Sequence, residues 1–197
     1  MIVIRTRKEL REFLRCDKEI YIRNSLKKRL TDIFLKRENY LIYRFVKDMR
    51  YVQYYTTNMR KGLFFKLMYL YYSRKYNKKC VKYSLMIGPM AFDKGLCIYH
   101  MGNIVVNTQC SIGQNCKLHG SNCIGNSQRK DDCPTIGKNV RLGVGAKVFG
   151  DIYIADNVTI AAGAIVTKSC YEEGVILAGV PAQIIKRPSQ LNNQQYK

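Results

Sequence analysis

The chain has two histidines, His100 and His119, and they are the side chains best suited to move a proton near neutral pH. His100 lies in the stretch IYHMGNIVVN at 98–107, and His119 directly follows Leu118. Two histidines are too few for a His-rich metal site. No CxxC pair occurs among the eight cysteines, so neither a zinc ribbon nor a thioredoxin-type site is expected. We therefore predict no metal, and any imidazole chemistry falls to these two residues.

The N-terminus, MIVIRTRKEL, is interrupted by charge at once. It has neither the apolar core of a signal peptide nor a run of about 20 apolar residues that would span a membrane. Several cysteines follow a buried periodicity rather than a disulfide framework, and a buried thiol behaves as a small hydrophobic group. The expected location is the cytoplasm.

Charge divides the chain of 197 residues into two parts. The whole chain carries a formal charge of +20, and residues 1–82 account for +16 of it. Ten of the 15 tyrosines lie in this first part, whereas 11 of the 14 glycines lie between 102 and 179. The change near Tyr83–Gly88 predicts a basic, Tyr-rich helical subdomain at 1–84, a second domain at 85–170, and a closing segment with a polar tail at 171–197.

The first part has apolar residues at steps of three and four, which is typical of amphipathic helices. Helices are predicted over Glu9–Lys18, Ser25–Lys36, Leu41–Tyr51 and the apolar stretch that begins at Leu63. One interpretation is a small helical unit with a solvated basic surface, which could cap the first rung of the second domain. Another is a patch that contacts an anionic membrane or polysaccharide at the inner face of the membrane. No nucleic-acid motif is present, so nucleic acid is not expected.

The second part repeats every six residues. From Val106 to Val166 in steps of six, every position except Lys130 is aliphatic, and Lys130 falls in a polar stretch that predicts an extruded loop. A small residue usually follows the aliphatic one, and another small or β-branched residue comes four places after it. Neither a helix nor a simple hairpin has this period, but three short parallel strands per turn of a triangular coil do. The pattern predicts a parallel β-helix.

Several stretches resemble the hexapeptide-repeat acyltransferases, which form left-handed β-helices. The matching stretches are IYHMGNIVVN (98–107), CIGN (123–126), DDCPTIGKNVRLGVGAKVFGDI (131–152) and AGVPAQII (178–185). The span 95–186 looks closest to serine acetyltransferases and to capsular or exopolysaccharide O-acetyltransferases. The resemblance implies the left-handed form, acetyl-CoA as the donor, and a homotrimer whose sites lie between subunits.

His100 occupies the position of the family's catalytic histidine, which implies that it is the general base. Serine acetyltransferases carry an orienting Asp about fifteen residues upstream, where this chain reads YSLMIGP without an acid. Asp93 is the nearest preceding acid and is held as the candidate, with a backbone carbonyl as the alternative. His119 is a second candidate functional group, or a structural histidine at a corner.

Two departures from the serine acetyltransferase pattern concern the acceptor. Tyr99 stands where that family has an Asp before its catalytic His, and Asp132-Cys133 stand where it has Arg-His before the Pro. Serine needs an anion for its ammonium group and a cation for its carboxylate. We therefore predict that Tyr99, His119, Asp132 and Cys133 contact a neutral carbohydrate acceptor.

The resemblance also implies where the donor binds. The expected contacts are small residues that expose backbone groups to the pantetheine arm, together with lysines for the nucleotide phosphates. These residues are Gly125, Asn126, Val144, Gly145, Ala162, Gly163, Lys168 and Lys186.

The leading hypothesis is direct acetyl transfer from acetyl-CoA to a sugar hydroxyl of a polysaccharide or its precursor. The alternatives are serine O-acetylation and a non-catalytic β-helix scaffold.

Overall fold

The computed structural model describes residues 2–127 and 132–188. Four helices form the first half, as the apolar spacing predicts, although the first and third are longer than expected and the second is shorter. They are α1 (Arg7–Tyr21), α2 (Leu26–Phe34), α3 (Glu38–Asn58) and α4 (Leu63–Tyr83), with a 3₁₀ turn at Met59–Lys61 between the last two. Thr6 begins α1 with a capping box: its hydroxyl accepts the Glu9 N–H, and the Glu9 carboxylate accepts the Thr6 N–H. Within the described residues, no helix is both long and apolar enough to cross a bilayer.

The second half winds into a triangular coil of short strands. They are β1 (Leu85–Ile87), β2 (Cys97–Ile98), β3 (Ile104–Val106), β4 (Ser111–Ile112), β5 (Lys117–Leu118), β6 (Cys123–Gly125), β7 (Thr135–Ile136), β8 (Arg141–Leu142), β9 (Lys147–Phe149), β10 (Tyr153–Ile154), β11 (Thr159–Ile160), β12 (Ile165–Val166), β13 (Ile176–Gly179) and β14 (Ala182–Lys186).

Every third strand joins the same sheet, so the coil has three faces. Sheet one is β1-β3-β6-β9-β12, sheet two is β4-β7-β10, and sheet three runs from β2 through β5, β8 and β11 to β13 and β14. All pairings are parallel except the closing pair β13–β14. The predicted fold, a left-handed parallel β-helix behind a helical unit, is confirmed.

The six-residue ladder forms the core of this coil. The aliphatic positions in the described part of the ladder are at most 3% exposed, and the in-register pairs Val106↔Ile124 and Ile124↔Val148 show how they stack. Burial raises the pKa of the Cys110 and Cys116 thiols to about 12, as expected of cysteines that serve as small hydrophobic groups. Lys130 and the tail after Pro188 lie outside the described residues.

The open first turn of the β-helix is covered by polar side chains from the helices. Arg50 is fully buried, and its guanidinium donates to the carboxylate of Asp17, with Nε 2.8 Å from Oδ2. It also donates to the carbonyls of Phe92 and Asp93, each at 2.7 Å. Asp17 in turn accepts the N–H of Gly95 at 2.9 Å. Backbone groups that a preceding coil would otherwise satisfy are therefore satisfied by side chains of α1 and α3.

Replacing Arg50 by Met should lower the free energy of unfolding by about 3–5 kcal/mol, because the buried Asp17 carboxylate would lose its cationic partner and the carbonyls of Phe92 and Asp93 would lose a donor. Urea denaturation followed by circular dichroism measures the change. Arg44→Met on the exposed side of α3 is the matched control and should shift stability by less than about 1 kcal/mol. Equal stability of the two variants would contradict this account of the junction.

Candidate active site

His100 lies on one long edge of the triangular coil. We call this the His100 edge; it comprises the turns that follow β2, β5, β8 and β11. The turns stack directly, since the Gly145 N–H donates to the Gly120 carbonyl at 3.0 Å and the Gly163 N–H to the Val144 carbonyl at 2.8 Å. Gly145 and Gly163 have φ of +72° and +70°, and a Cβ at Gly163 would meet nothing within 4 Å. The edge is therefore an open strip of backbone.

The imidazole of His100 contacts a carboxylate from the helical half. Its Nδ1 lies 3.3 Å from Oε2 of Glu38, and Oε1 of Glu38 accepts the N–H of Met101 at 2.7 Å. Glu38 is the first residue of α3, where a carboxylate is also favoured by the helix dipole. The ring is therefore held at its Nδ1 side. Because both side chains are exposed, a substrate group can approach Nε2 from solvent.

This contact was not foreseen from the sequence, which pointed to Asp93. In the structure the Asp93 carboxylate accepts its neighbour's N–H, Lys94, at 2.7 Å, and its carbonyl is held by Arg50. The carboxylate that meets His100 comes instead from 62 residues earlier in the chain. In the sequence, Glu38 is an acid that directly follows the basic pair Lys36-Arg37 at the start of a helix. Nothing in the residue spacing, however, connects Glu38 with His100.

His119 stacks on Tyr99 beside His100. The two ring centroids are 4.2 Å apart, and the Nε2 of His119 is buried without a hydrogen-bond partner among the described residues. Burial is the main cause that lowers the pKa of His119, and the nearby cations Arg141 and Lys117 lower it further. A lowered pKa favours the neutral imidazole of His119, which belongs to the same cluster as His100.

Lys117 and Arg141 give the outer face of sheet three its positive charge. They are in-register partners on β5 and β8, and Cys97 precedes them in the same row on β2. A cavity of about 600 Å³ lies in front of this face and is lined by Ile20, Gly95, Cys97, Tyr99, Asn115, Lys117 and Asn139. Two of the residues assigned to the acceptor, Tyr99 and His119, thus lie together near a cavity with a cationic wall.

The residues expected to bind the donor are divided between two edges. Val144, Gly145, Ala162 and Gly163 lie on the His100 edge. Gly125, Asn126 and Lys168 follow strands of sheet one, on what we call the Asn126 edge. The Gly150 N–H donates to the Gly125 carbonyl there at 3.1 Å, and Asn107 donates to the Asn126 side chain at 3.5 Å.

The remaining expected residues do not join His100 either. Asp132 accepts a hydrogen bond from Ser127 and lies near Gly150, at the Asn126 edge. The neighbouring Cys133 packs against the core. Lys186 ends β14 opposite Ile176. Within one chain the structure brings together Tyr99, His100 and His119 but not Asp132 or Cys133. No group of three potential metal ligands occurs among residues 2–127 and 132–188.

The described geometry can be compared with known proteins, although no family model matches the chain. A serine acetyltransferase of Staphylococcus aureus strain Mu50 is 34% identical over 96 residues, which are 48% of this chain and 45% of that protein. One from Buchnera aphidicola subsp. Schizaphis graminum is 32% identical over 119 residues, 58% of this chain and 45% of that protein. The matched segments therefore span less than half the length of these curated relatives.

Solved serine acetyltransferases have the same fold. The soybean apoenzyme aligns with a TM-score of 0.71 at 20% identity, over 90% of this chain and 69% of that one. The enzyme from Brucella abortus strain S19 aligns with a TM-score of 0.67 at 25% identity, over 92% and 70%. The fold is that of the hexapeptide-repeat transferases, with the helical half included in the match.

These comparisons correct the hypothesis about the acceptor. The prediction that the chain transfers acetyl to a polysaccharide sugar is wrong, because the relatives by sequence and by structure are serine acetyltransferases. The expectation that capsular or exopolysaccharide O-acetyltransferases lie closest is likewise not supported. That prediction rested on Tyr99 and Asp132-Cys133 alone and took no account of the cations Lys117 and Arg141 on the outer face of sheet three.

The His119 pKa should be measurably below its ordinary value of 6.5 in a histidine-detected NMR titration. Arg141→Met should raise the pKa partway, since it removes one positive neighbour but leaves the larger effect of burial. Arg60→Met, in the helical half, serves as the control and should leave the titration unchanged. A pKa at or above 6.5 in the unmodified protein would contradict the described surroundings of His119.

Proposed function

We propose that the protein is a serine O-acetyltransferase that uses acetyl-CoA directly, with His100 as general base. The observation that carries the proposal is the exposed His100 imidazole, fixed by Glu38 on the open edge of a coil related to serine acetyltransferases. Nε2 of His100 takes the hydroxyl proton while the hydroxyl oxygen attacks the thioester carbonyl carbon. The C–S bond breaks, and the thiolate of CoA leaves with that proton. The products are O-acetylserine and CoA.

Glu38 would act on this reaction through the imidazole. A carboxylate on Nδ1 holds the proton there and leaves the lone pair of Nε2 free for the acceptor. It also stabilises the imidazolium that forms as the hydroxyl proton is taken. The Met101 N–H contact fixes the second oxygen of Glu38, so the carboxylate is held at both ends.

The cationic face of sheet three supports serine as the acceptor. A serine carboxylate needs a positive partner, and the motif position that supplies an Arg in serine acetyltransferases is Asp132 here. Lys117 and Arg141 carry charge on the face beside the Tyr99–His119 stack, close enough to lower the His119 pKa. We assign these two residues to the carboxylate of serine.

We also propose a homotrimer, because the expected donor residues lie on two edges of one chain. Parallel prisms packed side by side would place the His100 edge of one copy against the Asn126 edge of the next. One groove would then contain Gly145 and Gly163 from one side and Asn126 and Lys168 from the other. The active site would be incomplete in a monomer.

The charge of +16 on residues 1–82 supports a further proposal, that this half makes a peripheral contact with an anionic surface inside the cell. The contact is separate from the transfer reaction, and none of the residues assigned to acetyl-CoA lies in the helical half.

Incubation with acetyl-CoA and L-serine should release a thiol, read with a disulfide reagent, and yield O-acetylserine by mass. His100→Asn should lower kcat/KM by about 10²- to 10⁴-fold, the usual contribution of a general base. No thiol release with serine, or full activity of the variant, would refute the proposal.

A carboxylate pair provides the control in the same assay. Glu38→Gln should lower kcat with little change in the KM for serine, because the amide no longer stabilises the imidazolium. Glu19→Gln, on the exposed surface of α1, removes an equal charge and should behave as the unmodified protein. Equal activity of the two variants would remove Glu38 from the mechanism.

Mixing two inactive variants tests the shared site. His100→Ala and the double variant Asn126→Ala/Lys168→Ala, unfolded and refolded together, should regain about a quarter of the activity by random assortment. Each variant refolded alone is the control, and sedimentation should give the mass of three chains. A monomer that is active, or mixtures that stay inactive, would contradict the trimer.

A further inference from the structure

Helix α2 presents its apolar face to solvent. Leu26, Leu30, Ile33 and Phe34 follow the i, i+4, i+7, i+8 spacing of a core-facing stripe. In this protein they are 62%, 56%, 39% and 85% exposed, and Leu35 beyond the helix is 54% exposed. A helix that merely covered the coil would turn this stripe inward.

The polar side of α2 is what attaches it to the rest of the molecule. Asp32 is 5% exposed, and its carboxylate accepts from Nε of Arg23 at 2.8 Å and pairs with Nε of Arg37 at 3.7 Å. These contacts hold the Asp32 side of α2 inward and thereby fix the rotation of the helix about its axis. The apolar stripe, on the opposite side, therefore faces solvent.

Cations border the stripe. Lys27 on α2 and Lys36 just after the helix are both exposed. Neither forms a salt bridge with an acid in the part of the chain that the structure describes. Asp32 is the one acid from Arg23 to Arg37, and it is already paired.

We propose that α2 docks on an anionic lipid surface, with its apolar stripe in the headgroup boundary and its lysines against lipid phosphates. An apolar face bordered by unpaired cations is the composition of helices that lie in the membrane interface. A second copy packed on α2 about a twofold axis would bring the same positive charges together. An anionic polysaccharide would satisfy the lysines but leave the apolar side chains in water.

The position of α2 connects this surface with the candidate active site. Leu35 is three residues before Glu38, which holds His100 and Met101. Docking through α2 would therefore place the His100 edge near the bilayer. The proposal does not depend on the nature of the acceptor, since lipid binding is measured without acetyl transfer.

Co-sedimentation of the full chain with vesicles tests the docking. Vesicles of phosphatidylcholine with about 30% phosphatidylglycerol should bind the protein, and pure phosphatidylcholine vesicles should bind it at least tenfold more weakly. Lys27→Gln/Lys36→Gln should weaken binding about 25-fold, at about fivefold for each charge near the surface. Raising the salt from about 0.05 to 0.5 M should weaken binding further.

The apolar stripe has its own test. Leu30→Ser/Phe34→Ser should weaken vesicle binding at least tenfold, whereas Ile185→Ser, an exposed apolar residue on β14, should leave it unchanged. If the variant without Leu30 and Phe34 still bound vesicles, charge attraction alone would explain the binding. That result would overturn the proposed docking. Loss of the oligomer in that variant, seen by sedimentation, would make α2 a subunit contact and overturn the proposal as well.

Discussion

The buried pair Arg50–Asp17 is the constraint on which the architecture depends. A coil of parallel strands has no partner for its first turn, and the backbone groups there must be satisfied by something other than another strand. Arg50 supplies donors to two carbonyls and Asp17 supplies an acceptor to one N–H. Tyr21 adds a hydroxyl that accepts from the Ile98 N–H at 2.7 Å and donates to the Leu96 carbonyl at 2.8 Å. Burying two charges is unfavourable in isolation, but here each charge also completes hydrogen bonds of the coil.

Once the first turn is fixed, the rest of the coil follows by stacking. Each turn contacts its neighbours, and the same residue types recur at the same corners. At the corner beyond sheet two, Asn115, Asn139 and Asn157 all adopt positive φ, and their side-chain amides bond in sequence at 3.1 and 3.0 Å. The turns of the His100 edge that follow β8 and β11 instead carry glycines and alanines, which leaves this part of the edge unobstructed.

The sequence predicts the coil well because its period is local. A six-residue repeat states at once which residues are interior, and each of Ile112, Ile136 and Ile154 is at most 2% exposed. The helices are predictable in kind, but the lengths of α3 and α4 depend on packing against each other.

The partner of His100 was missed for a physical reason. Glu38 is 62 residues away in the chain and meets His100 only in the folded protein, so no local pattern indicates the contact. The interior Asn122 was missed too, since it stands at a position of the repeat that is otherwise small or β-branched, and it donates to the carbonyls of Gly143 and Ala146.

The Glu38–His100 contact makes the two halves of this chain a matched set. A β-helix of this type could be joined to another helical cap and still fold, provided the first turn were covered. Such a chimera would keep His100 but lose Glu38, the carboxylate that orients its imidazole. The β-helix alone would therefore not reproduce the geometry of this pair. An exchange of modules would preserve the Glu38–His100 contact only if helix and coil were exchanged together.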